Sequence, residues 1–150
     1  MKQFIELKDL EVYRLSRQLS QLAWNVYETL NWKDKDLMGD QFLESADSVG
    51  ANIAEGYKRY HYLDKIKFYY NSRASLSESC QHWLELLYER KKIAQDKFDE
   101  IKIVGEKLSV KMEARYNGPT AVAEFDVTFN PISGPSYPPG YLPCPRPKMS

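Results

Sequence analysis

The sequence has few prolines, cysteines and histidines, and neither sign of charge is in excess. Its 150 residues contain 8 prolines, 2 cysteines and 2 histidines, with 21 basic and 21 acidic side chains. Two cysteines are too few for a disulfide framework or a cysteine-rich metal site. A net charge of zero removes any global attraction to nucleic acid or to an anionic membrane, so only local patches can supply one.

Long apolar runs are also missing. No segment approaches the length of a membrane span, and the first residues, MKQFIELKDL, carry charges where a signal peptide has its apolar stretch. The sequence therefore predicts a cytoplasmic protein with no membrane partner.

The prolines divide the chain into two parts. None precedes Pro119, and all eight lie between Pro119 and Pro147. Residues 1–116 form a helical body without helix breakers, and residues 117–150 form a tail. Within the tail, residues 121–130 alternate apolar and polar side chains, which predicts a strand. The Pro- and Gly-rich remainder is too poor in aliphatic residues to pack a core.

Apolar residues recur at spacings of three and four throughout the body. The pattern predicts four helices, at about residues 9–31, 36–59, 63–89 and 94–116. Because the connections are only a few residues long, neighbouring helices are predicted to be antiparallel. The predicted fold class is all-α, an up-down-up-down four-helix bundle followed by a non-helical tail.

The second predicted helix has an unusual composition. Beside its apolar stripe it carries small residues, Ala46, Gly50 and Ala54, which let another backbone approach closely. We expect this stripe to contribute to contacts between subunits. A change such as Gly50→Leu should then disturb assembly more than helix content.

A nine-residue segment of the same helix carries a family resemblance. Residues 48–56 read SVGANIAEG and closely resemble the S-x-x-x-N-I-A-E-G signature of bacterial four-helix-bundle proteins encoded in intervening sequences of large-subunit ribosomal RNA genes. The accessory variability proteins of diversity-generating retroelements are related to this family. The FIELKDLEV segment from Phe4 and the SLSE segment at residues 75–78 resemble two further family segments. Ala74 replaces the glycine expected before the latter, and the tail has no counterpart.

Polar residues border the apolar face of the second and third helices. Helical projection places Arg73 and Ser77 in the middle of the third helix's apolar face, where an unpaired charge would be costly. If these helices fold back on each other, Arg73 lies level with Val49. One interpretation is a buried polar layer that fixes helix register or subunit contacts, and the other is that Arg73 extends outward along Tyr69 or Tyr70. The predicted layer comprises Ser48, Asn52, Glu55, Arg73 and Ser77.

The side chains needed for common bundle chemistry are not in place. A di-iron site needs Glu-x-x-His motifs, and neither His61 nor His82 has a glutamate three residues before it. Cys80 and His82 are two residues apart on a helix and point in different directions, so they do not form a nucleophile and base. We therefore predict no metal, no cofactor and no enzymatic activity, with Cys80 in the core.

Basic residues gather locally, as on a phosphate-binding surface or on an ordinary solvated helix face. The candidates are Lys58 and Arg59, the run Arg90, Lys91 and Lys92, and the stripe Lys107, Lys111 and Arg115. The resemblance implies a homo-oligomer similar to barrel-shaped homopentamers, which would multiply each patch. It also implies a possible reverse transcriptase partner. The prediction is an oligomeric adaptor that binds RNA or DNA electrostatically, docks such an enzyme, or both. The alternative is a structural, self-associating protein with no nucleic-acid role.

Overall fold

The computed structural model describes residues 4–117 and has the predicted all-α architecture. The predicted strand at residues 121–130, the proline-rich segment and Cys144 lie outside the described residues. A short 3-10 turn, Leu7–Asp9, precedes four helices. Helix α1 is Glu11–Thr29, and α4 is Gln95–Asn117. Helix α2 consists of Trp32–Asp34, the π-helical stretch Lys35–Gly39 and Asp40–Lys58. Helix α3 consists of Tyr62–Ser77, the π-helical stretch Glu78–Trp83 and Leu84–Glu89.

The helices form an antiparallel up-down-up-down bundle. Helix α1 packs against α2 and α4, and α3 packs against the same two helices. Helices α2 and α4 therefore occupy diagonally opposite corners and run in the same direction. The α1–α2 and α3–α4 connections lie at one end of the bundle, and the α2–α3 connection lies at the other.

The predicted boundaries agree with the structure to within about two residues except at α2, which begins four residues early. Asn31 is the cause. Its side-chain oxygen accepts a hydrogen bond from the backbone N–H of Asp34 at 2.9 Å, which caps the helix at that point. Asparagine is a common N-cap residue, so Asn31 is the sequence signal for this earlier start.

The core is a continuous apolar cluster with contributions from every helix. Its largest fully buried members are Leu19 from α1, Phe42 and Met38 from α2, Leu84 and Leu87 from α3, and Ile101, Leu108 and Met112 from α4. Cys80 is buried and has a free thiol, as predicted.

Candidate functional site

The signature segment of α2 is part of the bundle interior. Val49 and Ile53 are buried in the core, and Gly50 lies against α1. A Cβ atom added at Gly50 would lie 2.9 Å from the Ser16 hydroxyl oxygen, and one added at Gly56 would lie 2.9 Å from Phe68 Cβ in α3. The close approach predicted from Gly50 therefore occurs between helices of the same chain. It no longer indicates a subunit contact at this position.

The polar residues of the signature bond within their own helix. Ser48 donates its hydroxyl hydrogen to the Glu44 carbonyl at 2.8 Å, and the Asn52 amide donates to the Ser48 carbonyl at 2.8 Å. Glu55 pairs with Arg59 one turn later at 2.5 Å. These three side chains are thus satisfied locally and do not reach α3.

The predicted buried layer around Arg73 is wrong. The Arg73 side chain is 53% exposed and its guanidinium lies 3.6 Å from the Glu113 carboxylate in α4. Ser77 is also exposed and donates to Gln81. Neither residue contacts Ser48 or Asn52. The α3 side chains that face the core are one position earlier along the same helix, at Ser72 and Leu76.

Small buried serines replace the expected polar layer. Ser72 is fully buried and donates to the Val49 carbonyl across the α2–α3 contact at 2.8 Å. Ser16, Ser45 and Ser79 are buried as well, and each donates to the carbonyl three residues before it. The sequence signal for the burial of Ser72 is its spacing of three from Tyr69, because this spacing continues the apolar repeat of α3 through a residue that is classed as polar.

Several predicted nucleic-acid contacts already have partners in the chain. Lys111 lies 3.4 Å from Glu11, and Arg59 both pairs with Glu55 and lies over the Phe68 ring at 5.0 Å. The Arg115 guanidinium is 5.9 Å from the Tyr116 ring centre. Lys58 and Lys107 are exposed. Lys107 and Lys111 lie along the same side of α4, whereas Lys58 and Arg59 lie where α2 ends.

A different grouping forms where two connections meet. The Lys92 ammonium binds the nearly buried Asp34 carboxylate at 2.9 Å, which joins the α3–α4 connection to the start of α2. Their chain neighbours include four more cations and an exposed tryptophan. We call this the basic end surface, and it comprises Trp32, Lys33, Lys35, Arg90 and Lys91.

The backbone fixes the position of the second connection. Lys91 has a positive φ of 58°, and its N–H donates to the Tyr88 carbonyl at 2.9 Å. The N–H of Lys92 donates to the Leu87 carbonyl at 2.8 Å. These two bonds form a Schellman motif, which usually has glycine at the left-handed position. Here a lysine occupies it, so Arg90 and Lys91 are held on an ordered turn.

Residues 4–117 contain no cluster of three or more His, Cys, Asp or Glu side chains suited to a metal ion. His61 and His82 are exposed and contact neighbouring aromatic rings. Burial raises the pKa of the Cys80 thiol, and the Ser79 hydroxyl and the Lys102 charge only partly oppose this. Cys80 therefore favours its neutral form, the less nucleophilic one.

The pKa of the Tyr27 phenol is also shifted. The hydrogen bond that Tyr27 donates to the Asp40 carboxylate, at 2.8 Å, raises the pKa of the phenol, and desolvation and the Asp40 charge add to the effect. This contact links α1 to the outer side of α2. Among the described residues, no helix is both long and apolar enough to cross a membrane.

Known proteins share both the sequence pattern and the fold. The sequence model of the 23S rRNA-intervening sequence proteins matches residues 8–114. A crystal structure of a protein of unknown function from the S23 ribosomal protein family of Bacteroides thetaiotaomicron VPI-5482 is 25% identical to this chain. The similarity covers 69% of this chain and 95% of that one, with a TM-score of 0.64. No curated protein matches the sequence. Because the family match extends over most of the sequence, from the start of the first helix to the end of the last, this chain belongs to the 23S rRNA-intervening sequence protein family.

Proposed function

We propose that this protein is a non-enzymatic, self-associating adaptor that holds nucleic acid electrostatically. The observation that supports nucleic-acid binding is the basic end surface. There the Lys92–Asp34 pair joins the α3–α4 connection to the start of α2, and four further cations lie at this end of the bundle. Phosphate groups are the ligands that such a group of lysine and arginine side chains favours.

The lack of direct carboxylate partners supports this position over the other basic candidates. Lys92 pairs with Asp34, and Lys35 lies over the Tyr27 ring at 4.8 Å, but none of Lys33, Lys35, Arg90 and Lys91 forms an ion pair with a described residue. The exposed carboxylates Glu28, Asp36, Glu89 and Asp96 also lie at this end, so the surface offers accessible cations without a net positive charge. At Arg59 and Lys111, by contrast, a carboxylate of the chain already contacts the cation. A phosphate would have to displace that carboxylate before it could bind.

Trp32 adds a second kind of contact. Its side chain is 81% exposed, although tryptophan normally buries much of its large apolar surface. An exposed indole beside cations is the arrangement on which unpaired bases stack in proteins that bind single strands without sequence preference. We therefore expect the surface to prefer single-stranded segments and to tolerate any base sequence, because no base-reading motif accompanies it.

Binding of a fluorescent single-stranded RNA across 50–200 mM salt tests the proposal. We compare the wild type with Arg90→Gln/Lys91→Gln and with the charge-matched control Arg14→Gln/Arg17→Gln, which changes two exposed cations of α1. Loss of two phosphate contacts should flatten the logarithmic salt slope by about 1.4 in the first variant. Trp32→Ala should weaken single-strand binding by about 5- to 150-fold, the equivalent of one lost stacking contact. Equal effects of the two double variants would contradict the proposed location.

A structural, self-associating role without nucleic acid is the second candidate. It is favoured by the zero net charge and by the intramolecular pairs at Arg59, Lys92 and Lys111. No binding of single-stranded or duplex RNA or DNA at low salt, by an assembled protein, would favour this candidate. Docking of a reverse transcriptase and assembly as a pentamer, which the family resemblance implies, stay predictions.

A further inference from the structure

The outer face of α2 carries an acidic groove without cations. Asp40, Glu44 and Asp47 border an open groove of about 400 Å³ whose apolar lining includes Leu43 and Ala51. Asp40 accepts a hydrogen bond from Tyr27 and Asp47 accepts one from Ser20, and both donors are neutral hydroxyls. Within residues 4–117 none of the three carboxylates forms an ion pair. None of the three negative charges is therefore directly paired with a described cation, and the nearest described contact of a cation is that of Lys35 with the Tyr27 ring.

The outer face of α4 has the opposite character. Ile103 and Val110 lie seven residues apart on one side of the helix and are 61% and 65% exposed. Lys107 lies between them, is exposed, and forms no ion pair with any described residue. Ala114 continues the stripe, and Lys111 flanks it. An apolar stripe with an uncompensated cation is suited to an acidic apolar groove.

The two faces also agree in position along the bundle. Helices α2 and α4 begin at the same end and run in the same direction, α2 at Trp32 and α4 at Gln95. Helix α3 relates their heights, because its Ser72 donates to the Val49 carbonyl of α2 and its Cys80 lies against Gly105 of α4. Counted along the antiparallel α3 at about 1.5 Å per residue, Glu44 and Lys107 lie at about the same height. Ala51 and Ala114 are level by the same count. Side-by-side copies with parallel axes would bring these pairs opposite each other.

We propose that the outer face of α4 in one copy docks into the α2 groove of the next copy, with Glu44 facing Lys107. This inference rests on the proposed self-association and names the surfaces that perform it. Because α2 and α4 are at opposite corners of the bundle, the contact is head-to-tail. A head-to-tail contact forms a closed ring when its rotation closes and an open filament when it does not. A second copy is favoured over an unrelated basic partner because both complementary faces occur, at matched heights, on the same chain.

Charge reversal of the full chain, followed by light scattering against concentration, tests the pairing. Glu44→Lys and Lys107→Glu each place like charges across the contact, so each should raise the concentration for half-assembly by at least about tenfold. A mixture of the two variants restores an opposite pair at every contact between unlike copies, so it should assemble into even-numbered rings or filaments, whereas a ring of five keeps one like-charged contact. The double variant Glu44→Lys/Lys107→Glu restores the pair within one sequence and should assemble alone.

Control variants and alternative outcomes distinguish the α2–α4 contact from self-association in general. Glu28→Lys on α1 and Lys67→Glu on α3 reverse exposed charges on other helices and should assemble like the wild type. A wild-type protein that is monomeric throughout the micromolar range would overturn self-association itself. If the wild type assembles and each single charge-reversal variant assembles equally well, only the α2–α4 pairing is overturned. Failure of both the mixture and the double variant, with far-UV circular dichroism unchanged, would overturn the pairing as well.

Discussion

The contact between Gly50 and Ser16 predicts that Gly50→Ala lowers stability in the wild type but raises it in a Ser16→Ala variant. Gly50 is buried on α2, and a Cβ added there would lie 2.9 Å from the Ser16 hydroxyl oxygen on α1. That oxygen cannot move away cheaply, because Ser16 is fully buried and its hydroxyl donates to the Tyr13 carbonyl at 2.6 Å. In Gly50→Ala, either the helices separate or this hydrogen bond is lost.

Two opposing effects determine the magnitude. Alanine favours a helix over glycine by about 1 kcal/mol. Overpacking of a tight core contact costs about 1–3 kcal/mol. Gly50→Ala should therefore lower the free energy of unfolding by up to about 2 kcal/mol. In a Ser16→Ala background the oxygen is absent and the nearest remaining atom is the Cβ of residue 16 at 3.6 Å, an ordinary contact. There the same change should raise stability by about 1 kcal/mol.

Urea unfolding at one fixed protein concentration, followed by far-UV circular dichroism, measures the four species of this double-mutant cycle. The expected coupling between the two sites is about 1–3 kcal/mol, the overpacking cost that removal of the hydroxyl relieves. An equal effect of Gly50→Ala in both backgrounds would refute the reasoning. Gly50→Leu should unfold the chain, because the site is inside the bundle. The expectation that it would mainly disturb assembly is therefore replaced.

Two further predictions concern the basic end surface. Asp34→Ala should destabilise the fold by about 2–3 kcal/mol, because the nearly buried carboxylate also accepts a hydrogen bond from the Asn31 amide at 3.0 Å. Lys92→Ala should destabilise it by about 1 kcal/mol or less, because the lysine side chain is more exposed. A coupling energy near zero in their urea-unfolding cycle would show that the 2.9 Å contact contributes nothing. Lys91→Gly should raise stability by about 0.5–1 kcal/mol, because glycine adopts positive φ without strain but costs more conformational entropy on folding. Its melting temperature should rise by a few degrees, whereas Lys92→Gly should give no rise.

The core face of helix α2 could be predicted because its buried residues are apolar or small. The spacing of Phe42, Ala46, Val49 and Ile53 predicts its core face, and all four are buried. The partner of Gly50 could not be predicted, since a small residue permits close approach without indicating which backbone approaches. In the structure that neighbour is α1 of the same chain.

The apolar residues predicted to line α3 are mostly buried, but the centre of its core face lies at Ser72 and Leu76 rather than at Arg73 and Ser77. Two features explain the difference. Ser72 and Ser79 occupy its buried face, and serine is conventionally counted as polar although its hydroxyl can bond to a nearby carbonyl and be buried. The π-helical stretch Glu78–Trp83 also changes the angle per residue, so one projection cannot describe the whole helix. Arg73 was consequently projected into the core, although it lies beside the buried row and reaches Glu113.

The proposed assembly and the proposed binding surface use different parts of the molecule. Docking through the outer faces of α2 and α4 leaves the basic end surface free, because that surface lies where the α1–α2 and α3–α4 connections meet. In a ring with parallel bundle axes, every copy would present its basic end surface on the same rim. Several weak sites on one rim can hold a flexible strand much more tightly than one site, because later contacts are intramolecular. A chain with no net charge can thus bind nucleic acid once assembled. Lys107→Glu, which disturbs assembly and leaves the basic end surface unchanged, should then weaken binding to a long single strand much more than binding to a short one.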